Sequence, residues 1–459
     1  MKSQFTVLVS FFALFCELCL AGDSPQVAPR ITGLPAVKST VSVAGVSASA
    51  HIQWELAEKQ NGPYAPLQGV TGLRMVVPAI FAGKWARAQV IPENGAAVVT
   101  APVQITDRPG NSNVAFMHKT GWGLSFTFDR EHIHRSAVNP AERIQKKADG
   151  TDESWDETLA TFDVEAFARE VESTGAGFVL LALGQNSGYY CAPNATMEKA
   201  IGCPPHTYCS QRDLPLEVMQ ALRPKSIAVM LYLPGSPPKF NRVVREALKW
   251  DGKGNAAPLQ ETIVIWDAVI EEWATRYGEN LAGWWMDGIY EHNRYDMALA
   301  HNWHSRAVAM KAGNPSCAIT FGGLQPSGSP YEDYFNGESL RFGAVPANGQ
   351  WKNEDPVTKA LTPAVRGNFP GPWWIEKARR MQWLSYIPIG LNAKGKAIWD
   401  VGSKGCSMRP EVLDAWMRKV RAHGGIVMLD SKVNRFGHID PDQLKLYRAS
   451  PACHDNQSP

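Results

Sequence analysis

Between Ile31 and Ile105 apolar and polar residues alternate in short runs, Thr40–Val46, Ile52–Leu56, Leu73–Val77, Trp85–Ile91 and Val98–Ile105, each bounded by turn residues. A period of two is that of half-buried strands, so residues 27–106 predict a small antiparallel β-sandwich. Trp54 and Trp85 sit among alternating apolar neighbours and are expected in its core, and Asn94-Gly95 is a hairpin turn signal. Asp107 to Asn111 reads as a linker. Beyond it the period changes: apolar runs alternate with helix-patterned stretches, which implies parallel strands covered by helices. The candidate strands are Gly123–Phe128, Gly177–Leu183, Ser226–Leu233, Gly283–Met286, Ala318–Phe321, a weak one near Tyr334, Tyr386–Gly390 and Gly425–Leu429. The helical stripes between them include Phe162, Ala166, Phe167 and Val171; Ile263, Trp266, Val269, Ile270 and Trp273; and Leu413, Trp416 and Val420. Eight strands match a closed (β/α)8 barrel over residues 112–453. An open doubly wound sheet is the alternative, but no glycine-rich dinucleotide loop and no phosphate-loop motif is present.

The amino terminus carries a lysine, an apolar run from Phe5 to Leu20 broken by Glu17, and the small residue Ala21. This is the pattern of a secretory signal over residues 1–21, shorter than a spanning helix needs, so the mature chain is expected to be secreted or periplasmic with no membrane partner. Export leaves six cysteines, and the crowding of Cys191, Cys203 and Cys209 predicts at least one disulfide there. Zinc is the rival reading, but the paired C-x-x-C spacing is lacking and only His206 is close, so no metal is expected. Asn194-Ala195-Thr196 is a glycosylation sequon.

Composition changes the picture little. The chain has 459 residues, 44% hydrophobic and 20% charged, with a net charge of +2, which is globular and shows no footprint for a nucleic-acid backbone. Its 16 Trp and 12 Tyr suit flat sugar faces as well as cores. In a barrel, chemistry sits at the C-terminal ends of strands. There the chain offers Asp287 after Trp284-Trp285-Met286; Gln185, Asn186 and Tyr189 after the second strand; Thr127, Asp129 and Glu131 after the first; Asp333 and Glu338 near the sixth; and Tyr232, Trp285, Trp374 and Trp399 as walls. Two carboxylates facing each other across an indole-lined trough are what glycosidic cleavage requires: one protonates the leaving oxygen, the other attacks the sugar carbon. A lone strand-end carboxylate can equally be a helix cap. The sandwich carries no such constellation and reads as an accessory unit for carbohydrate contact, spacing or stability.

The order Gly121-Trp122-Gly123-Leu124, Phe162 to Gly188, Arg212-Asp213-Leu214, Trp285-Met286-Asp287-Gly288, Asp333-Tyr334 with Glu338, and Gly424 to Asp430 resembles the family 29 glycoside hydrolases, the α-L-fucosidases, from about residue 115 to about 450. The resemblance implies a retaining exo-glycosidase without cofactor, with Asp287 as nucleophile and Glu338 as acid/base, preceded here by an immunoglobulin-like sandwich. The family's histidine in the first strand is replaced by Thr127 and its His-His-Asp-Gly-Phe run by Gln185-Asn186-Ser187-Gly188-Tyr189. These replacements give the pocket other donors and acceptors, so the sugar could equally be a sulfated or modified deoxy sugar or galactose. A carbohydrate-binding protein that has lost the chemistry is the non-enzymatic alternative.

Overall fold

A computed structural model describes residues 28–108, 110–136, 139–238, 240–250, 260–287, 301–321, 329–335, 344–347, 350–354, 361–363, 380–392, 394–395, 399, 404–422 and 424–455. Residues 1–21, expected to be a signal segment, and the candidates Glu338 and Trp374 lie outside them. No helix among the described residues is long and apolar enough to cross a membrane.

The first eight strands are β1 Arg30–Thr32, β2 Thr40–Ala44, β3 His51–Ala57, β4 Ala65–Thr71, β5 Arg74–Val76, β6 Trp85–Ile91, β7 Val98–Val99 and β8 Val103–Gln104. They form two antiparallel sheets, β1-β2-β5 and β4-β3-β6-β7 with β8 also on β6, around one core that includes Val41, Ile52, Trp54, Met75 and Val90. Asn94-Gly95 lies in the β6–β7 hairpin as expected. The run Val98–Ile105 is two strands because Pro102 between them has no N–H to give a ladder. Trp85 is a correction: β6 turns Ala86, Ala88 and Val90 inward, which puts Trp85 on the outer, half-buried face.

The second unit has a seven-stranded parallel sheet in the order β13-β12-β11-β10-β9-β18-β17. Its strands are β9 Trp122–Phe126, β10 Phe178–Ala182, β11 Ala228–Pro234, β12 Leu281–Asp287, β13 Ala318–Thr320, β17 Leu384–Pro388 and β18 Ile426–Ser431, while β14 Ala344–Ala347, β15 Gln350–Glu354 and β16 Leu361–Pro363 make a separate antiparallel set. Helices Val164–Glu172, Gln260–Tyr277 and Pro410–Ala422 bury the predicted stripes, Leu214–Leu222 adds another apolar face, and Asp163 caps the first by accepting from Ala166 N at 2.8 Å.

The weak strand near Tyr334 joins the two edges of this sheet. Asp333 N donates to Ile319 O at 2.8 Å, Gln382 N to Asp333 O at 2.9 Å and Phe335 N to Gln382 O at 2.8 Å. Side chains complete what backbone does not: Asp333 Oδ2 accepts from Ile319 N at 3.1 Å, and Glu332 Oε1 from Phe321 N at 2.8 Å and Thr320 Oγ1 at 2.9 Å. The same Asp333 is ion-paired with the buried Lys311 at 2.8 Å and accepts from Asn113 Nδ2 at 2.9 Å. Asp333 therefore closes the sheet, and its expected place at a catalytic mouth is corrected.

Glu332 and His304 also hold the sandwich. Lys38 Nζ donates to Glu332 O, Asn113 Nδ2 donates to Lys38 O at 3.0 Å, and Val76 N donates to His304 Nε2 at 3.3 Å. Burial pushes the Glu332 carboxyl up to about 6 and the His304 imidazole down to about 3. The signs oppose. A raised carboxyl disfavours the ionised folded state, so its contribution is lost as pH rises from about 4.5 to about 6; a lowered imidazole is lost as pH falls from about 6.5 toward about 3. Glu332→Gln should therefore raise stability by up to about 2 kcal/mol above pH 6 relative to its effect at pH 4.5. His304→Gln should flatten the decline of stability below pH 6.5. Denaturant midpoints across pH 4–8 check both, and parallel profiles for the variants and the parent would refute the assignment.

All six cysteines of the described residues are free thiols. The disulfide expected among Cys191, Cys203 and Cys209 does not form. Each sulfur is engaged elsewhere: Cys191 Sγ lies 3.7 Å from Phe128 O, Cys209 Sγ 3.8 Å from Met197 Sδ and Cys203 Sγ 3.9 Å from Glu198 O. Burial pushes the Cys191 and Cys209 thiols well above their ordinary range.

Candidate active site

Two sets of side chains leave the parallel sheet. One packs under the helices, and the other, including Ala182, Met230, Tyr232, Trp285, Tyr334, Tyr386 and Met428, meets along the inner face. In parallel strands, residues in register share a face, so the pairs Ala182↔Tyr232, Tyr232↔Trp285 and Pro234↔Asp287 carry that inner row up to the strand ends. Asp287 is the last residue of β12 and is half-buried.

A directed hydrogen-bond chain ends on it. Asn186 N donates to Gln185 Oε1 at 3.0 Å, which orients the amide so that Gln185 Nε2 donates to Tyr232 Oη. The phenol spends its single proton on Asp287 Oδ2 at 2.5 Å. A phenol donating to a carboxylate is a charge-assisted bond, short and strong for its type. The Tyr232 ring is fixed by stacking on Trp285, with centroids 5.2 Å apart and planes 18° apart. The result is an oriented carboxylate beside two packed aromatic faces.

The aromatic row continues. Trp285 meets Tyr386 edge-on at 5.5 Å, and Tyr386 meets Trp399 at 4.7 Å. Trp399 is 37% exposed, the outermost of the four. Tyr386 Oη lies 2.9 Å from Ser125 Oγ and donates to the buried Asp430 Oδ1 at 3.3 Å. Asp430, in register with Ser125, is a second carboxylate on the inner face, so a tyrosine–carboxylate pair stands on each side of Trp285. Neither Asp430 nor Tyr386 was singled out from sequence, although Asp430 directly follows the apolar run Gly425–Leu429 and satisfies the strand-end rule used to find Asp287.

Other expected residues divide. Gln185, Tyr232, Trp285, Trp399 and Asp287 are brought into one connected set, and Asn186 joins it through its backbone, its carbonyl accepting from Phe240 N at 3.0 Å. Thr127 lies one residue past β9 and is half-buried. Tyr189 engages Tyr208 at 5.6 Å and lies beneath the Arg130 guanidinium at 4.7 Å, a contact on the rim. Asp129 is a helix cap: fully buried, it accepts from Glu131 N at 2.8 Å and contacts the His132 ring. No group of three or more His, Cys, Asp or Glu with the arrangement to hold a metal occurs among the described residues.

No family model and no curated protein matches the chain. Among solved structures it is similar to a putative alpha-L-fucosidase from Bacteroides thetaiotaomicron VPI-5482, at 12% identity and TM-score 0.47 over 74% of this chain and 75% of that one. It is similar to the endo-fucoidan hydrolase P5AFcnA from glycoside hydrolase family 107, at 14% and 0.44 over 76% and 94%. Alpha-L-fucosidase AlfC from Lactobacillus casei, in complex with alpha-L-fucose product, gives 12% and 0.44 over 75% and 99%. Likeness at this level assigns no residue and no substrate here.

Proposed function

We propose that the chain is an exported, retaining exo-glycosidase built on a (β/α)8 barrel, with Asp287 as nucleophile and an α-linked fucose or a related, sulfated or otherwise modified sugar as substrate. The observation that carries this reading is the Gln185–Tyr232–Asp287 chain against Trp285, which aims a carboxylate from a strand end beside an aromatic wall. Asp287 Oδ attacks the anomeric carbon as the glycosidic bond breaks, and the leaving oxygen takes a proton from a second carboxyl group, assigned to Glu338. Water then attacks the glycosyl ester, the same second group removes the water's proton, and Asp287 is released with net retention. Asp430 is a positioning residue in this reading, since it acts through Tyr386 on the indole wall.

The test is a panel of aryl α-L-fucosides, α- and β-galactosides and sulfated oligosaccharides, with NMR of the first-formed anomer. Turnover with retention and release of single sugars is expected. Inversion would remove the nucleophile role. Saturable sugar binding without turnover on any substrate would make the chain a carbohydrate-binding protein.

A further inference from the structure

We propose that the N-terminal face of the parallel sheet, opposite to Asp287, holds a second site, which binds a small oxyanion through the guanidinium of Arg421. A cavity of about 110 Å³ opens at the starts of β9 and β18, lined by Arg421, His118, Thr120, Gly121 and Gly425 among others. Nε and Nη2 of Arg421 are both buried and have no hydrogen-bond partner. These two groups form one edge of the guanidinium, a side-on fork whose N–H bonds run parallel and match two oxygens of a carboxylate, phosphate or sulfate. Arg421 as a whole is half-buried, but a buried donor without a partner is costly, so its Nε and Nη2 favour a ligand that accepts from both, and the positive charge of the guanidinium favours an anion.

The backbone is shaped around this edge. A Cβ on Gly121, whose φ is +72°, would lie 2.9 Å from Arg421 Nε and 3.1 Å from Cδ, so the side chain crosses the chain where only glycine leaves room. The helix Pro410–Ala422 ends in a Schellman pattern, with Gly424 N donating to Arg421 O at 2.8 Å and Gly425 N to Val420 O at 3.0 Å. That pattern gives the Val420 and Arg421 carbonyls their partners, and the cationic Arg421 in the last turn sits where the helix dipole favours a positive charge. Two acids, Asp455 and Asp414, lie near enough to act on the charge of Arg421, but neither accepts from its Nε or Nη2: Asp455 pairs with Arg418, and Asp414 Oδ1 accepts from Ala452 N at 2.9 Å. Thr120 Oγ1 donates its proton to Trp122 O at 2.9 Å, and the His118 ring is bonded to Gln382, so the donors left for a ligand are those of Arg421.

The experiment is titration of the full mature chain with inorganic phosphate, sulfate or acetate, each against chloride at equal ionic strength, read by calorimetry and by melting temperature. Saturable binding by at least one oxyanion, weakened at least about tenfold in Arg421→Lys, which keeps the charge but loses the fork, is the expected result. Phosphate and sulfate exceeding acetate identifies a tetrahedral ligand, and the reverse a carboxylate. Should Arg421→Lys misfold, Arg421→Met, which keeps the length of the side chain and removes both the charge and the fork, provides the second test, with saturable oxyanion binding lost. Identical responses to chloride and to every oxyanion, or undiminished binding in Arg421→Lys, would overturn the proposal and leave a water-filled cavity.

Discussion

Asp287→Gly is expected to lower turnover of an aryl glycoside by at least about 10³-fold, the scale on which loss of a covalent nucleophile is felt, with the circular dichroism spectrum unchanged. Glycine keeps the backbone pairing of this strand end with Pro234, and the Asp287 side chain it removes is held by Tyr232 at 2.5 Å. Added azide should restore turnover, because glycine leaves a space on the attacking face and a small anion fills it. The rescued product should be a glycosyl azide of inverted configuration, one displacement replacing two. Tyr232→Phe should cost less, about 10- to 100-fold, since a hydrogen bond to a charged group contributes about 1.5–3 kcal/mol and the carboxylate itself remains. Full activity in Asp287→Gly, or rescue with retained configuration, would exclude Asp287 as nucleophile.

Asp287 could be found in the sequence because local rules sufficed: an apolar strand, then an acid, then a glycine. Tyr232 and Trp285 are legible as aromatic residues near the ends of apolar strands, but their stacking depends on the β11–β12 register shift between Val229 and Met230, which no local pattern encodes. Asp430 obeys the same rule at the end of Gly425–Leu429, but its link to the aromatic row runs through Tyr386 on a neighbouring strand, which no local pattern shows. Asp129 and Asp333 show the converse. Both follow or flank apolar runs, yet one caps a helix and the other stands in for strand backbone, and only long-range partners such as Lys311 and Asn113 distinguish these from catalysis. The helix stripes were legible because burial on one face repeats every three to four residues. The sixth strand is only weakly legible near Tyr334, since a few backbone bonds reinforced by the Asp333 and Glu332 side chains make its closure and leave no periodicity.

Deleting residues 28–106 is expected to destabilise the remaining chain severely, with a melting temperature lower by at least about 5 °C or failure to accumulate as soluble protein. The sandwich reads in sequence as a separable accessory, but its contacts with the parallel-sheet unit are interior ones. Val76 belongs to the core cluster of that unit, and its N–H satisfies a fully buried imidazole. Asn302 Nδ2 donates to Gly69 O at 2.9 Å, and the buried Lys38 bridges Glu332 and Asn113. Truncation would leave His304, Asn302, Asn113 and the Glu332 carbonyl without these partners, each loss costing about 1–3 kcal/mol where water cannot replace the bond. It would also expose apolar surface now covered by β5. Gln185, Tyr232 and Asp287 are bonded to one another and stacked on Trp285, all outside residues 28–106, so any folded fraction should keep per-molecule turnover on a small aryl glycoside. Melting curves and active-site titration of the truncated protein separate the two effects. A truncated chain that melts within about 1 °C of the parent would show that the buried contacts between the two units contribute nothing to stability.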